Sequence, residues 1–220
     1  MRGNKLVKYT DIIFGIPLLI FFGLFKIFRR KPQKYKKINK ILIIKLSALG
    51  DTILLIPVIR TLRENYPDSK ISMVITDINR AIAEKCNYIN NTFEFKPQKF
   101  IKNPLELLEF IKKIRNEKFD LAIDADQWLR ISALLSFFSR AKIRIGFKTK
   151  GQFKHFAFTD AILHKRDQHE LECFFDLIGP LNLEIKNKSL EFNIEKNKLI
   201  EADVLLKSIG INKNEKFIII

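Results

Sequence analysis

After residue 39 the chain alternates between short apolar runs and longer amphipathic stretches. The runs are rich in Ile, Val, Leu and Phe and are continuous, which is typical of strands buried on both faces. They predict strands at 40–46, 70–76, 92–95, 119–125 and 142–147. Between them, apolar residues recur at helical spacing. This spacing predicts a helix that ends at Tyr66, and further helices at 79–86, 104–117, 128–139, 169–181 and 196–209.

Regular alternation of strand and helix predicts an α/β fold with a doubly wound parallel sheet and right-handed crossovers. In such sheets the ligand lies beyond the carboxyl ends of the strands. The chemistry is therefore expected in the loops that follow Leu46, Thr76, Ala125 and Phe147.

The first forty residues follow a different pattern. Residues 12–25 form an unbroken apolar run, and six basic residues follow within 29–37. A cleaved signal peptide would need a small-residue cleavage site, which the sequence lacks here. A core helix of the domain is a second interpretation. We favour a membrane anchor, either spanning the bilayer or dipping into it, with the basic residues on the cytoplasmic side.

The charge and the cysteines narrow the function classes. The formal net charge is +16, but residues 1–40 hold eleven Lys or Arg against one acid, Asp11. The excess of positive charge therefore lies mainly in this segment, which weakens the argument for nucleic-acid binding by the rest of the chain. No G-x-G-x-x-G follows the first strand, which argues against a dinucleotide-binding protein. Cys86 and Cys173 stand alone, fit no metal spacing and suit a reducing compartment.

Three ordered blocks carry a family resemblance. Residues 41–76 contain a strand, S-x-x-G-D, a proline-containing helix, "YP" and a second strand. Residues 119–147 hold a strand, an Arg-bearing loop, a helix and "R-x-G-F", and residues 167–181 a helix with His and Glu at its start. Together they resemble glycosyltransferase family 9, the ADP-heptose:lipopolysaccharide heptosyltransferases. The resemblance implies a GT-B fold, in which one Rossmann-like domain binds the acceptor and a second binds the nucleotide-sugar donor.

The resemblance also divides the chain. Residues 1–40 are expected to be the membrane-anchor segment and residues 41–190 the acceptor-binding domain. Residues 191–220 are expected to be a linker helix and, at 216–220, the first strand of a donor domain truncated at Ile220.

Asp51 is the candidate catalytic residue. It follows the first strand and opens a helix, and inverting sugar transfer needs a base to take the proton of the acceptor hydroxyl. The resemblance implies this role; the alternative is a plain helix cap. Ser47 and Gly50, in the same turn, are candidate acceptor-binding residues, Gly50 because it allows a close approach of the sugar.

Further acceptor-binding candidates follow the fourth and fifth strands: Asp126, Gln127, Arg130 and Lys148. Arg130 presents a planar, charged fork suited to carboxylate or phosphate groups. Many family members carry a glycine where this chain has "DADQW", which leaves the identity of the acceptor open. The basic loop at 148–154 suits either an acidic glycolipid or plain solvation.

The expected function is inverting transfer of a heptose or related sugar from a nucleotide sugar to a lipopolysaccharide-core or other cell-envelope glycolipid. No metal or cofactor is implied beyond the nucleotide-sugar donor, and no nucleic-acid partner. The resemblance and residues 9–37 together suggest the cytoplasmic face of the bacterial inner membrane. The alternative is an acceptor-binding module that lacks the donor domain and catalysis.

Overall fold

The computed structural model describes residues 5–24, 37–192, 194, 196–212, 215, 216 and 218. Its centre is a sheet of six strands: β1 (Lys40–Ile44), β2 (Lys70–Ile75), β3 (Asn91–Glu94), β4 (Leu121–Asp124), β5 (Ile143–Lys148) and β6 (Asp160–Leu163).

The strand order is β3-β2-β1-β4-β5-β6, and every neighbouring pair is parallel. The chain builds outward from β1 in one direction, then returns across it to build outward in the other. The carboxyl ends of β1 and β4 therefore lie side by side at the point where the strand order reverses. Ligands of open α/β sheets bind at this point.

The helices are α1 (Lys5–Leu24), α2 (Leu49–Asn65), α3 (Arg80–Glu84), α4 (Pro97–Lys102), α5 (Pro104–Asn116), α6 (Arg130–Phe138), α7 (Glu170–Ile178) and α8 (Lys196–Ser208). Short 3-10 helices lie at Lys154–Ala157 and Gly179–Leu181. All five predicted strands and all predicted helices are present, with small shifts at their ends. The sequence analysis missed α4 and β6, because α4 buries only Phe100 and β6 has no fully buried side chain, so neither carries a clear apolar pattern.

Successive residues of the central strand β1 serve two separate cores. Ile41 and Ile43 of β1 pack in the cluster that contains residues of α2 and α7, whereas Leu42 and Ile44 pack in the cluster that contains residues of α5 and α6. All four side chains are at most 1% exposed. Burial on both faces explains why the strand sequences are continuously apolar.

Helix α1 lies against the domain along one stripe of its surface. Asp11, Gly15, Leu19 and Gly23 recur every four residues, which places them on one face of the helix. Leu19 is fully buried in a small core with residues of α6 and the 3-10 helix Lys154–Ala157. A Cβ atom on Gly15 would lie 2.8 Å from Cβ of Arg130, and one on Gly23 would lie 2.6 Å from Cδ1 of Phe156. The two glycines therefore allow α1 to approach closely.

An ion pair fixes the same face. The Asp11 carboxylate accepts hydrogen bonds from the backbone N–H groups of Arg130 (3.2 Å) and Ile131 (2.8 Å). It also lies 3.3 Å from Nη1 of Arg130. Asp11 thus caps the start of α6 from another helix and places a negative charge at its positive end. The core-helix interpretation of this segment is in part correct, since one face of α1 belongs to the domain.

Across the described residues, no helix combines the length and the hydropathy that crossing a bilayer requires. The basic residues predicted to contact headgroups lie mostly in 25–36, outside the described part of the chain. The same holds for most of the predicted strand at 216–220.

Gly146 tests the packing of β5 against Phe158, which follows the 3-10 helix Lys154–Ala157. A Cβ atom on Gly146 would lie 2.5 and 2.7 Å from Cε2 and Cε1 of the fully buried Phe158 ring. Gly146→Ala is expected to lower the free energy of unfolding by about 1–3 kcal/mol through overpacking. A Cβ on Gly50, in the first turn of α2, meets nothing within 4 Å. The control Gly50→Ala should leave stability unchanged or raise it by up to about 1 kcal/mol. Equal denaturant midpoints for both variants would contradict the packing described here.

Candidate active site

The site lies at the carboxyl edge of the sheet, where β1 passes into α2. Strand β1 ends at Ile44, and Lys45, Leu46 and Ser47 continue it into the loop. Ala48 takes a left-handed φ of 63° and is the residue before α2. This turn directs the first residues of α2, including Asp51, toward the edge of the sheet.

A buried lysine holds Asp51. The Lys45 side chain has no exposed surface, and its Nζ lies 3.0 Å from Oδ2 of Asp51. It also donates to the carbonyl of Ala125 (3.4 Å) and to Oε1 of Gln127 (3.5 Å). The ring of Phe174 lies 5.3 Å below it, within the range of a cation–π contact. The Asp51 side chain is 28% exposed, so its carboxylate faces both Lys45 and solvent. Asp51 is not the N-cap, which is Ala48.

Gln127 extends the network from α2 to α7. It is 2% exposed, and its Nε2 donates to Oε2 of Glu170 at 2.7 Å. Asp51, Lys45, Gln127 and Glu170 therefore form a continuous chain of polar contacts across the edge of the sheet. Sequence reasoning missed Lys45 and Glu170 as parts of this site. The available signal was a charged residue at the end of a strand that is otherwise apolar.

Asp126 and Ser47 join the two central loops. The Asp126 carboxylate accepts from the backbone N–H of Leu46 (2.5 Å) and from Oγ of Ser47 (2.6 Å). Asp126 is 1% exposed and Ser47 is 7% exposed. In this structure both side chains bond to each other and hold the loop after β1 against the loop after β4.

A second buried ion pair lies beside Asp126. Nζ of Lys154 is 3.0 Å from Oδ2 of Asp124, and both side chains are fully buried. Lys154 also donates to the carbonyl of Asp126. The expectation of a basic loop is thus wrong at Lys154, because the chain folds back and places this side chain under the site. Burial raises the pKa of Asp124 to about 6, although Lys154 and the Ser132 hydroxyl act to lower it.

The other predicted residues lie around this centre. The Arg130 guanidinium is 8% exposed and lies between Asp11 and the carbonyl of Gly151, 3.3 Å from each. Its Nε is buried and has no hydrogen-bond partner. Lys148 ends β5 with an exposed side chain. Gly50 has a helical backbone with open space beside it, so its value to the site is that space and not a positive φ.

Three groups of metal-ligand type come together near Glu170. The ligand atoms of His164, Glu170 and Cys173 lie within 4.8 Å of one another, a grouping the scattered sequence positions did not indicate. Burial raises the pKa of the Cys173 thiol and lowers the pKa of His164. The thiol donates to the carbonyl of Lys165 at 3.3 Å. Zinc prefers four ligands with cysteine as thiolate, and a protonated thiol among three groups fits it poorly. His169 accepts from the N–H of Leu171 and caps α7.

A family comparison fits this geometry. The model of glycosyltransferase family 9 (heptosyltransferase) matches residues 107–220, just over half of the chain. The chain belongs to glycosyltransferase family 9. The resemblance seen in the sequence is confirmed.

Curated relatives match a shorter segment of this family 9 chain. A lipopolysaccharide heptosyltransferase 3 of Escherichia coli K12 is 37% identical over 86 residues, which cover 36% of the chain and 24% of the relative. A second E. coli protein of the same name is 33% identical over 100 residues, covering 44% of the chain and 28% of the relative. The matched segments thus span about a quarter of these relatives.

Solved structures share the fold. A family 9 glycosyltransferase from Veillonella parvula superposes with a TM-score of 0.64 at 21% identity, over 84% of this chain and 53% of that one. The E. coli heptosyltransferase WaaC with ADP-2-deoxy-2-fluoro heptose gives 0.60 at 17% identity, over 69% and 51%. The α/β fold with a parallel sheet is therefore confirmed, and this chain matches about half of each structure.

The Asp124–Lys154 pair predicts an unusual pH dependence of stability. The folded-state pKa of Asp124, about 6, is raised above its ordinary value of 3.8. The folded protein therefore binds the proton more tightly than the unfolded chain. This contribution to stability is complete below about pH 4 and is lost as the pH rises through about 6, and amounts to about 2–3 kcal/mol.

Urea unfolding between pH 4 and 7 tests this expectation. The unfolding free energy of wild type should fall by that amount as the pH rises, relative to that of Asp124→Asn/Lys154→Met, which lacks the titrating group. Lys154→Met alone removes a charge that lowers the pKa of Asp124. The loss should then extend to higher pH. Parallel pH profiles for wild type and the double variant would show that Asp124 does not titrate as described.

Proposed function

We propose that this domain binds the acceptor in an inverting glycosyltransferase, with Asp51 as the general base. The observation that carries the proposal is the Asp51 carboxylate, which is partly exposed at the switch point of the sheet and held by the buried Lys45 ammonium at 3.0 Å. The membership of family 9 and the names of the heptosyltransferase relatives support this class of reaction.

The proposed step follows from the position of this carboxylate. A hydroxyl of the acceptor donates its proton to Asp51 as its oxygen attacks the anomeric carbon of the donor sugar. The bond between that carbon and the diphosphate oxygen breaks, the nucleoside diphosphate leaves with the bonding electrons, and the configuration inverts. Lys45 is a positioning residue: it contacts Asp51 and is itself too buried to meet a substrate. A carboxylate held in place before the substrate binds needs little reorganisation during the reaction.

The donor and the acceptor are proposed from the relatives. WaaC was solved with an ADP-heptose analogue, and the curated relatives are named for lipopolysaccharide, so we propose an ADP-heptose-like donor and a lipopolysaccharide-core or related glycolipid acceptor. The open space beside Gly50 admits a sugar next to Asp51. Lys148, whose side chain is exposed, remains a proposed acceptor contact, whereas Gln127 and Arg130 are buried and are proposed to hold the loops around Asp51.

We also propose that the protein works at the cytoplasmic face of the inner membrane. The support is the apolar character of residues 12–25 and the basic residues that follow them. A glycolipid acceptor would be presented at the same surface.

Asp51→Asn tests the assignment of the base. The change keeps the shape of the side chain and removes its ability to take a proton, so kcat should fall by about 100- to 10,000-fold in the full-length protein. Steady-state transfer from ADP-heptose to a lipopolysaccharide-core acceptor is the measurement, with binding of the donor followed separately.

Asp68→Asn is the matched control, since Asp68 is exposed and precedes β2 at the opposite edge of the sheet. It should retain wild-type turnover. Turnover of Asp51→Asn within threefold of the control would remove Asp51 as the base. If wild type also fails to transfer sugar but binds the acceptor, the domain is a binding module and not part of an enzyme.

A further inference from the structure

An apolar cavity of about 480 Å³ lies between α1 and the helices α4, α5 and α6. Its wall includes Phe14 and Leu18 of α1, Phe100 of α4, Leu107 of α5, and Leu134 and Phe138 of α6. Among the described residues that line it, only Thr10 and Asp11 carry polar side chains. Asp11 is already bonded to the start of α6. The volume falls in the range of ligand pockets, which is about 300–1,000 Å³.

The surface around the cavity is also apolar. The stripe through Asp11 and Leu19 packs on the domain, while the opposite side of α1 is open. There the exposed fractions are 60% for Tyr9 and 61% for Ile13, and Phe14, which lines the cavity, is 64% exposed. On α5, Leu105 and Leu108 are 68% and 60% exposed. Large apolar side chains exposed together on a folded domain mark an interaction surface.

Positive charge adjoins this surface. On α4, Lys99 and Lys102 directly flank Phe100 and Ile101, which line the cavity, and both lysines are exposed. Lys99 lies 2.7 Å from Glu106 of α5, which offsets part of its charge. In the sequence, residues 29–37 follow α1 with six Lys or Arg and no acid. Apolar residues beside basic ones suit an anionic lipid surface, which attracts the basic residues.

The cavity chemistry distinguishes a lipid from a protein partner. A peptide segment would bring backbone N–H and C=O groups into a space with almost no hydrogen-bonding partners, which is unfavourable because each unpaired group loses its hydrogen bonds to water. An acyl chain carries no such groups, and each CH₂ that it buries favours binding.

We propose that α1 lies in the surface of an anionic membrane and that the cavity takes up one acyl chain of a bilayer lipid. The outer face of α1 then contacts the lipid, and the stripe through Asp11, Gly15 and Leu19 joins it to the domain. Stable attachment generally requires two membrane-binding elements, which here are the helix face and the occupied cavity. The inference rests on the membrane location proposed above and does not depend on sugar transfer.

Two tryptophan reporters in the full-length protein test this inference. Trp128 is the chain's single tryptophan; it packs near His164 and Arg166 and is removed by Trp128→Phe. In that background, Tyr9→Trp reports contact of the outer α1 surface and Phe100→Trp reports the interior of the cavity. Both are aromatic replacements, and circular dichroism confirms folding. Vesicles of phosphatidylglycerol and phosphatidylcholine brominated on the acyl chains quench a nearby indole.

Both reporters are expected to lose at least half of their fluorescence on brominated vesicles, relative to unbrominated vesicles of the same composition. The unmodified protein should be quenched far less, because its only tryptophan, Trp128, lies next to Gln127 of the candidate active site and not in the cavity. Quenching at residue 9 alone would mean bilayer contact without a chain in the cavity and would overturn the acyl-chain assignment. Quenching at neither position, or a stable dimer in sedimentation velocity with no vesicle binding, would overturn the whole proposal.

Transfer to a water-soluble acceptor without acyl chains separates this inference from the proposed function. That reaction depends on Asp51 and needs no membrane. Transfer without quenching would therefore overturn only the lipid inference, and quenching without transfer would overturn only the enzymatic proposal.

Discussion

The buried ammonium group of Lys45 is the constraint on which the site depends. A charge with no exposed surface at the end of a central strand must be compensated by nearby polar groups, because an unpaired buried charge costs several kcal/mol. The compensation comes from three groups in two parts of the chain: Asp51 in α2, and the Ala125 carbonyl and Gln127 in the loop after β4. The need to satisfy one charge therefore brings together the loops that follow the two central strands.

A second buried lysine beneath the site is compensated in the same way. Lys154 is also fully buried, and its partners are the Asp124 carboxylate at the end of β4 and the carbonyl of Asp126. Asp126 in turn bonds to Leu46 and Ser47. The result is a layered arrangement in which buried charges fix the loops and leave the Asp51 carboxylate partly exposed. Such preorganisation suits a general base, and its rigidity comes from the lysines beneath it and not from the substrate.

Helix α1 has two kinds of surface, which the sequence shows only as one apolar run at residues 12–25. One stripe, with its glycines and Asp11, is built for close packing on α6, and the other sides are exposed and apolar. A uniformly apolar helix could pack on the domain in several rotations about its axis. The Asp11 carboxylate selects one of them, because its hydrogen bonds to the start of α6 can form in only one rotation of the helix.

The sequence by itself determined the strands from β1 to β5, the long helices, the parallel architecture and the position of Asp51 after the first strand. These features follow from local periodicity and from strand order, both of which are visible along the chain. Only the tertiary structure decided the partners of Lys45, the burial of Lys154 and the docking of α1. The contacts concerned join residues 79 apart (Ser47 and Asp126), 80 apart (Lys45 and Ala125) and 119 apart (Asp11 and Arg130). Hydrophobic periodicity indicates which side chains are buried. Which distant polar group a buried side chain contacts depends on the order of the strands in the sheet, which periodicity does not show.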